Sequence, residues 1–181
     1  MALGATMRRF EIALADSDRG VYEQLDLRVA QHPSESERFL IARVLARALE
    51  HAEGVELTTG GVSDDETPAL VQRDLRGDLR AWIEVGSPDV DRLHKASKKC
   101  DRVVIYAWKN PDDLAAAIHE RGVYRADRIE LIALDPGELD GIAATLDRMN
   151  GWELAVTGGT IYLSARGHAF ELTPRRVTIP Q

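Results

Sequence analysis

The segment from Leu79 to Trp108 constrains the fold of this chain more than any other part of the sequence. From Leu79 to Gly86, apolar residues occupy every second position, which predicts a strand with one apolar face. Apolar residues then recur at helical spacing from Val90 to Cys100, and the next run, Val103 to Trp108, is apolar on both faces. The order strand, helix, strand favours a parallel crossover. We therefore predict an α/β fold around a mixed sheet with a parallel centre.

Hairpins are predicted near both ends of the chain. Phe10 to Ala15 and Leu25 to Ala30 each alternate in hydrophobicity and flank a segment rich in turn-forming residues. Near the C-terminus, Gly158-Gly159 separates the runs Trp152 to Thr157 and Thr160 to Ser164, a spacing typical of a two-residue hairpin turn. One more short strand is expected at Ala169 to Leu172. The central sheet is thus expected to carry antiparallel additions at both termini.

Four helices are predicted between these hairpins. The S-x-x-E pattern from Ser34 to Glu37 predicts the start of the first helix, and Gly54 is expected to end it. Ser87-Pro88 is a typical start for the second helix. The remaining helices are expected at about Pro111 to His119 and Pro136 to Met149. Further strands are expected at Val55 to Thr59 and Ile129 to Leu134.

Length and composition indicate one domain spanning residues 1–181, because no repeat or long linker divides the 181-residue chain. The longest uninterrupted apolar run, Val103 to Trp108, is too short to span a membrane, and the N-terminus does not resemble a secretory signal. We therefore expect a cytoplasmic protein without a membrane partner. The single cysteine, Cys100, cannot form an internal disulfide, so we expect it to be a small buried apolar residue.

The charge balance limits the kinds of partner. Thirty acidic residues against 23 basic ones give a formal net charge of −7, which argues against sequence-independent wrapping of nucleic acid. A local basic patch is the candidate contact for a nucleic-acid backbone, and a solvated helix face is the alternative. The patch consists of Lys95, Lys98, Lys99, Arg102 and Lys109.

Motifs for several common chemistries are missing. The sequence contains no G-x-x-x-x-G-K-[ST], G-x-G-x-x-G, H-E-x-x-H or G-x-S-x-G, which excludes P-loop ATP hydrolysis and the simple zinc proteases. Carboxylates remain as candidates: Asp64, Asp65 and Glu66 follow one strand, and Glu84 lies on the next predicted strand. Mg²⁺ often takes only one or two protein carboxylates, so this set predicts a metal site, with a solvated acidic turn as the alternative.

This arrangement resembles the core of the PD-(D/E)XK nuclease superfamily, and the chain more specifically resembles the YaeQ family of bacterial proteins. The matching segments span most of the chain: Met1-Ala2-Leu3 with Phe10-Glu11, His32 to Glu35, Asp64 to Pro68, Trp82 to Gly86, Pro88-Asp89 with Lys95-Ala96, and Val103 to Tyr106. The resemblance implies a restriction-endonuclease-like mixed sheet flanked by helices, with the nuclease-like core at about residues 34–110.

The resemblance also implies roles for individual carboxylates. Asp65 matches the first acid of the nuclease motif and Glu84 the second, together holding Mg²⁺ or Mn²⁺ against the scissile phosphate. Asp64 and Glu66, the other two members of the acidic triplet, are alternative ligands. Glu35 could add a further carboxylate, although a capping role at the start of the first helix also explains it.

The motif's lysine is expected two residues after Glu84, where this chain has Gly86. In some nucleases of the superfamily this lysine lies on the following helix, which implies Lys95 here, with Arg92 one turn earlier as a substitute. The implied role is to orient the attacking water and balance charge at the phosphate. The alternative for Lys95 is an ordinary surface pair with Asp91, four residues earlier on the same helix.

Two functions remain open from the sequence. The first is a Mg²⁺- or Mn²⁺-dependent nuclease acting on DNA or RNA. The second is a catalytically inactive protein of the same fold that binds nucleic acid or a protein partner, which the acidic balance and Gly86 favour. Separately, Trp152 and Tyr162 suggest a dimer surface on the C-terminal hairpin. The candidate contacts for nucleic acid are Lys98, Lys99, Arg92 and Gln72.

Overall fold

A computed structural model describes residues 4–59 and 66–181 of the chain. Eleven strands lie in these ranges: β1 (Thr6–Asp16), β2 (Val21–Gln31), β3 (Val55–Leu57), β4 (Leu70–Arg73), β5 (Leu79–Val85), β6 (Arg102–Ala107), β7 (Ile129–Ala133), β8 (Met149–Thr157), β9 (Thr160–Ala165), β10 (His168–Leu172) and β11 (Arg175–Val177). The same ranges contain four α-helices: α1 (Glu37–Leu49), α2 (Val90–Lys99), α3 (Pro111–Arg121) and α4 (Pro136–Ala143).

The strands form two mixed sheets, and the chain forms two compact units. The first unit combines the N-terminal part up to His51 with Asp135–Pro174 and contains a sheet in the order β10-β9-β8-β1-β2. The second unit combines Ala52–Leu134 with Arg175–Gln181 and contains a sheet in the order β11-β7-β6-β5-β4-β3. The predicted α/β class and the hairpins near both termini are therefore confirmed. The prediction that these hairpins extend the central sheet is wrong, because their strands pair with each other and form a separate sheet.

The first unit joins the two predicted hairpins into one sheet. β1 pairs antiparallel with β2 and β8 with β9, while β1 also pairs in parallel with β8. Gly158 and Gly159 form the tight turn between β8 and β9 with φ of +59° and +77°, the left-handed region that such a turn requires. The parallel pairing was not predicted, because it links segments far apart in the sequence.

Trp152 is a core residue of the first unit, which corrects the idea that it forms an exposed dimer surface. The residue is 3% exposed, and its ring meets Phe10 edge-on at a centroid distance of 5.1 Å. Tyr162, by contrast, is exposed. Side chains along β8 alternate between its two faces, but the sequence does not show which face is buried. The predicted exposure of Trp152 is wrong for this reason.

The ends of α1 and α4 differ from the sequence predictions. Ser36, rather than Ser34, caps α1, and its Oγ accepts from the backbone N–H of Phe39 at 3.1 Å. The helix ends at its C-cap residue Glu50 instead of Gly54. Gly54 instead lies in a left-handed turn, where a Cβ would come within 1.8 Å of the Arg73 carbonyl oxygen. α4 ends at Ala143 instead of Met149, which is the first residue of β8.

The second unit contains the predicted parallel centre. β6 lies between β5 and β7 and is parallel to both, which confirms that this apolar segment is a central strand. α2 connects β5 to β6, and α3 connects β6 to β7. Cys100 follows α2 and is buried, as expected. Asp89, rather than Ser87, caps α2, because its carboxylate accepts from the Asp91 backbone N–H at 2.8 Å.

None of the helices in residues 4–59 and 66–181 is both long and apolar enough to cross a membrane.

Candidate functional site

Glu84 is a buried carboxylate at the end of β5, one of the parallel central strands of the second unit. Its side chain is 7% exposed, and the residue lies opposite Ile105 of β6. Gly86 follows immediately and donates its N–H to the Tyr106 carbonyl at 2.8 Å. Buried carboxylates are rare unless they are paired, so the partners of Glu84 determine what the site can do.

Trp82 and Arg92 both hydrogen-bond to the same oxygen of Glu84. The indole Nε1 of Trp82 donates to Oε1 at 2.6 Å, and the guanidinium Nε of Arg92 donates to it at 2.5 Å. Trp82 reaches the carboxylate because residues two apart on a strand share a face. Within residues 4–59 and 66–181, Oε2 of Glu84 has no hydrogen-bond partner. Glu84 is thus anchored through one oxygen.

Arg92 links α2 to the residues that follow the acidic triplet. Besides its ion pair with Glu84, its Nη2 donates to the Thr67 carbonyl at 2.5 Å. A guanidinium presents several donors in a fixed plane, which suits it to two partners at once. Arg92, which the resemblance suggested as a substitute for the motif's lysine, is the residue of α2 that contacts Glu84 directly.

The face of α2 in front of Trp82 forms a charged pocket of about 360 Å³. Lys99 Nζ lies 5.5 Å and Arg92 Cζ 5.7 Å from the Trp82 ring centroid, both within cation–π range. Arg92, Lys95 and Lys99 share this helix face because they are three and four residues apart. The lining residues are Glu66, Trp82, Asp89, Asp91, Arg92, Lys95 and Lys99.

The structure separates the predicted basic residues into two groups. Lys95 and Lys99 line the pocket, whereas Lys98 is exposed on another part of α2 and does not line it. Asp91 pairs with Arg121 at 2.6 Å, so the expected surface pair between Asp91 and Lys95 is not formed. Lys95 and Lys99 therefore present their charge to the pocket.

Gln72 and Glu35 have structural partners. The Gln72 amide donates to the Glu53 carbonyl at 3.1 Å. Glu35 belongs to the first unit, where its carboxylate accepts from the His32 backbone N–H and lies 3.1 Å from the Arg43 guanidinium. Burial raises the pKa of Glu35 although Arg43 opposes this, and burial lowers the pKa of Arg43. Neither Gln72 nor Glu35 is brought into the pocket lined by Arg92.

Gly86 lies where the resemblance predicts a lysine, and its backbone conformation disfavours one. Its φ is +94°, a left-handed backbone conformation that residues with a Cβ adopt only with strain. A lysine at this position would therefore strain the exit from β5. The cation that contacts Glu84 comes instead from Arg92 on α2.

The described residues around Glu84 offer few oxygen ligands for Mg²⁺ or Mn²⁺. An ion bound there would take most of its ligands from water. Asp64 and Asp65 lie outside the described residues, and among those described no group of three or more His, Cys, Asp and Glu side chains is placed to hold a metal. Mg²⁺ commonly takes one or two carboxylates and completes its shell with water. Oε2 of Glu84 is one oxygen of this kind, and Glu66 lines the neighbouring pocket.

Trp82 is the residue that sequence reasoning did not assign to the site. The alternation along β5 already placed it on the same face as Glu84, which was the available signal. Its hydrogen bond to Glu84 and its contacts with Arg92 and Lys99 depend on how α2 packs on the sheet, which periodicity does not specify.

Comparisons with known proteins identify relatives over nearly the whole chain. The model of the family described as YaeQ protein matches residues 1–174. The uncharacterized protein YaeQ of Salmonella typhi is 30% identical over 176 residues, covering 95% of each chain. Its counterpart in Escherichia coli (strain K12) is 30% identical over 168 residues, covering 91% of each chain.

Two crystal structures of YaeQ proteins share this fold. The protein from Xanthomonas axonopodis pv. citri is 31% identical, with a TM-score of 0.87 over 97% of this chain and 99% of that one. The protein from Pseudomonas syringae is 29% identical, with a TM-score of 0.88 over 96% of each chain. The architecture with two mixed sheets is therefore similar to that of experimentally determined relatives.

Proposed function

This chain belongs to the YaeQ family, and we propose that it is a Mg²⁺- or Mn²⁺-dependent nuclease-like protein that hydrolyses phosphodiester bonds of DNA or RNA. The observation that carries the proposal is the pocket lined by three cations of α2, Arg92, Lys95 and Lys99, beside the buried carboxylate of Glu84. As part of the same proposal, residues from about 34 to 110 form a divergent restriction-endonuclease-like core of the PD-(D/E)XK superfamily, whose central strands β5 and β6 lie in the second unit.

The cations on α2 are proposed to bind the phosphate backbone. Arg92, Lys95 and Lys99 face one pocket, so their charges act together on a phosphate although the whole chain carries a net charge of −7. Such contacts hold the backbone without reading bases. Lys98 is proposed as an outer contact because its side chain is exposed on the same helix.

The proposed reaction is the attack of water on phosphorus. A new P–O bond forms, one bridging P–O bond breaks, and the leaving alkoxide takes a proton. A bound Mg²⁺ or Mn²⁺ would supply Lewis-acid stabilisation of the developing charge. Asp65 and Glu84 are the proposed carboxylate ligands, with Glu66 as an alternative. Arg92 would balance charge on the phosphate from the position where it now meets Glu84.

A cleavage assay tests this function. Single- and double-stranded DNA and RNA are incubated with the protein in Mg²⁺, Mn²⁺ or EDTA. We expect cleavage that EDTA abolishes and that Glu84→Gln lowers by roughly 100-fold or more. Arg92→Ala and Lys95→Ala are expected to weaken it as well. Glu120→Gln and Arg76→Ala, exposed residues of the same unit outside the pocket, are matched controls expected to leave it unchanged.

Binding without hydrolysis is the second candidate function. The ion pair between Arg92 and Glu84 favours it, because the guanidinium neutralises the carboxylate that a metal would use. In this case the partner is nucleic acid or another protein. Folded wild-type protein that cleaves none of the four substrates, yet binds a labelled oligonucleotide through Lys95 and Lys99, would support this function and refute the nuclease.

A further inference from the structure

We infer that Trp82 is the positioning residue of this site, holding the Glu84 carboxylate and the α2 cations in one arrangement. The inference rests on the proposed function and adds Trp82 to the site. Two parts of its side chain have different roles. The indole N–H anchors Glu84, and the indole ring holds Arg92 and Lys99.

The indole is itself held rigidly. Trp82 is 5% exposed, lies between β4 and β6 in the sheet opposite Val71 and Val103, and belongs to a core cluster with Leu93 and Ala96 of α2. A side chain packed in this way keeps one rotamer, so the direction of its N–H is fixed. Trp82 can therefore orient a neighbour, which a mobile side chain could not do.

The indole N–H of Trp82 fixes the orientation of the Glu84 carboxylate. Because Trp82 Nε1 donates to Oε1 of Glu84 at 2.6 Å, the plane of the carboxylate is restricted and so is the place of Oε2. Oε2 is the oxygen without a hydrogen-bond partner among the described residues. We therefore assign Oε2 as the ligand atom toward a divalent cation, with Trp82 acting through Glu84 rather than touching the cation.

The indole ring of Trp82 holds the cationic side chains of α2 in place. Lys99 and Arg92 lie over it at 5.5 and 5.7 Å, where the negative face of an aromatic ring attracts cations. Both side chains also line the pocket with Lys95. The ligand for these three cations is a phosphate of a nucleic-acid backbone, which they bind by charge.

The two roles can be separated by substitution. Trp82→Phe keeps an aromatic ring but removes the N–H, whereas Trp82→Leu removes both. We expect Trp82→Phe to weaken Mn²⁺ binding about tenfold or more, the effect of losing a hydrogen bond to a charged group. Binding of a fluorescein-labelled single-stranded oligodeoxynucleotide is expected to stay within about twofold of wild type, since the cation–π contacts remain. Trp82→Leu is expected to weaken both.

Titration calorimetry with Mn²⁺ and fluorescence anisotropy with the oligonucleotide provide the readouts. Trp152→Phe is the matched control, since it makes the same change in the core of the first unit and is expected to alter neither. If Trp82→Phe binds Mn²⁺ as wild type does while Glu84→Gln does not bind it, Trp82 is not a positioning residue and the proposed function survives. If wild type itself does not bind Mn²⁺, the nuclease function fails, and the inference with it.

A measurement on wild-type protein covers the case in which Trp82→Phe does not fold. In ¹H–¹⁵N spectra, the indole N–H signal of Trp82 is identified by elimination with Trp108→Phe and Trp152→Phe. We expect Mg²⁺ to shift this signal alone among the three indoles, and we expect the shift to disappear in Glu84→Gln. An unmoved Trp82 signal in protein saturated with Mg²⁺ would overturn the inference.

Discussion

Arg92 pairs with Glu84 through Nε and Oε1 at 2.5 Å, so a cation from α2 meets the carboxylate at the end of β5. The nuclease motif that the sequence resembles would place a lysine at Gly86 instead. The backbone there has a φ of +94°, which disfavours any residue with a Cβ. The positive charge beside Glu84 therefore comes from helix α2, whereas the motif would supply it from the end of β5.

Gly86 is expected to be required for stability. Gly86→Ala should lower the free energy of unfolding by about 1–2 kcal/mol, because a Cβ is strained in the left-handed region. Gly151→Ala is the matched control, since a methyl group added at Gly151 would have no neighbour within 4 Å and the φ of Gly151 is not positive. Urea denaturation measures both. An equal effect of the two substitutions would contradict the argument from φ.

The ion pair between Arg92 and Glu84 is expected to be coupled energetically. Arg92→Ala leaves a buried carboxylate without its cation, so it should destabilise wild type by about 3 kcal/mol. The same substitution in a Glu84→Gln background should cost less, with a coupling energy of about 1–3 kcal/mol. A double-mutant cycle by urea denaturation measures this energy. A coupling near zero would show that Arg92 stabilises the fold only through other contacts such as Thr67.

Asp18 is expected to give the first unit a pH-dependent contact. Its carboxylate accepts from the backbone N–H groups of Gly158 and Gly159, both at 2.8 Å, and these hydrogen bonds lower its pKa. A lowered pKa in the folded state means that the stabilisation is present above the ordinary Asp pKa and is lost as pH falls through the lowered value. Asp18→Ala should therefore lower the melting temperature at pH 7, with a smaller effect in acid.

The control for Asp18 is Glu56→Gln, which changes an exposed carboxylate on β3. Melting temperatures of wild type and both variants are compared between pH 7 and pH 3 by circular dichroism. A difference between wild type and Asp18→Ala that stays constant over this range would disprove the role of the ionised carboxylate.

Arg43 is expected to be essential for the stability of the first unit. Arg43→Met removes the cation beside buried Glu35 and should destabilise the protein by about 3 kcal/mol at pH 7. The double substitution Glu35→Leu/Arg43→Met should recover most of this loss, because no charge is then left buried. Urea denaturation is the measurement. The loss in Arg43→Met should also shrink at low pH, where Glu35 becomes neutral; an undiminished loss would argue against an uncompensated charge as its cause.

The sequence alone was sufficient for most strands and for the class of the fold. β5 and β6 were predicted from alternation and from a continuous apolar run, and the turn at Gly158-Gly159 from its residue type. These features depend on hydrophobic periodicity and on local backbone preference, both of which are properties of a short segment. Glu84 and the lysines of α2 were recognised as candidates from their residue types and positions on one strand and one helix, whereas Arg92 was suggested only by the resemblance to the nuclease motif.

Tertiary structure decided which of those candidates meet. Arg92 rather than Lys95 contacts Glu84, Trp82 joins them, and Lys98 lies outside the pocket. The parallel pairing of β1 with β8 likewise unites segments from opposite ends of the chain. Contacts of this kind depend on how a helix packs on a sheet and which strands become neighbours. Periodicity specifies the face that a residue occupies, but the partner on the other side is chosen by long-range packing.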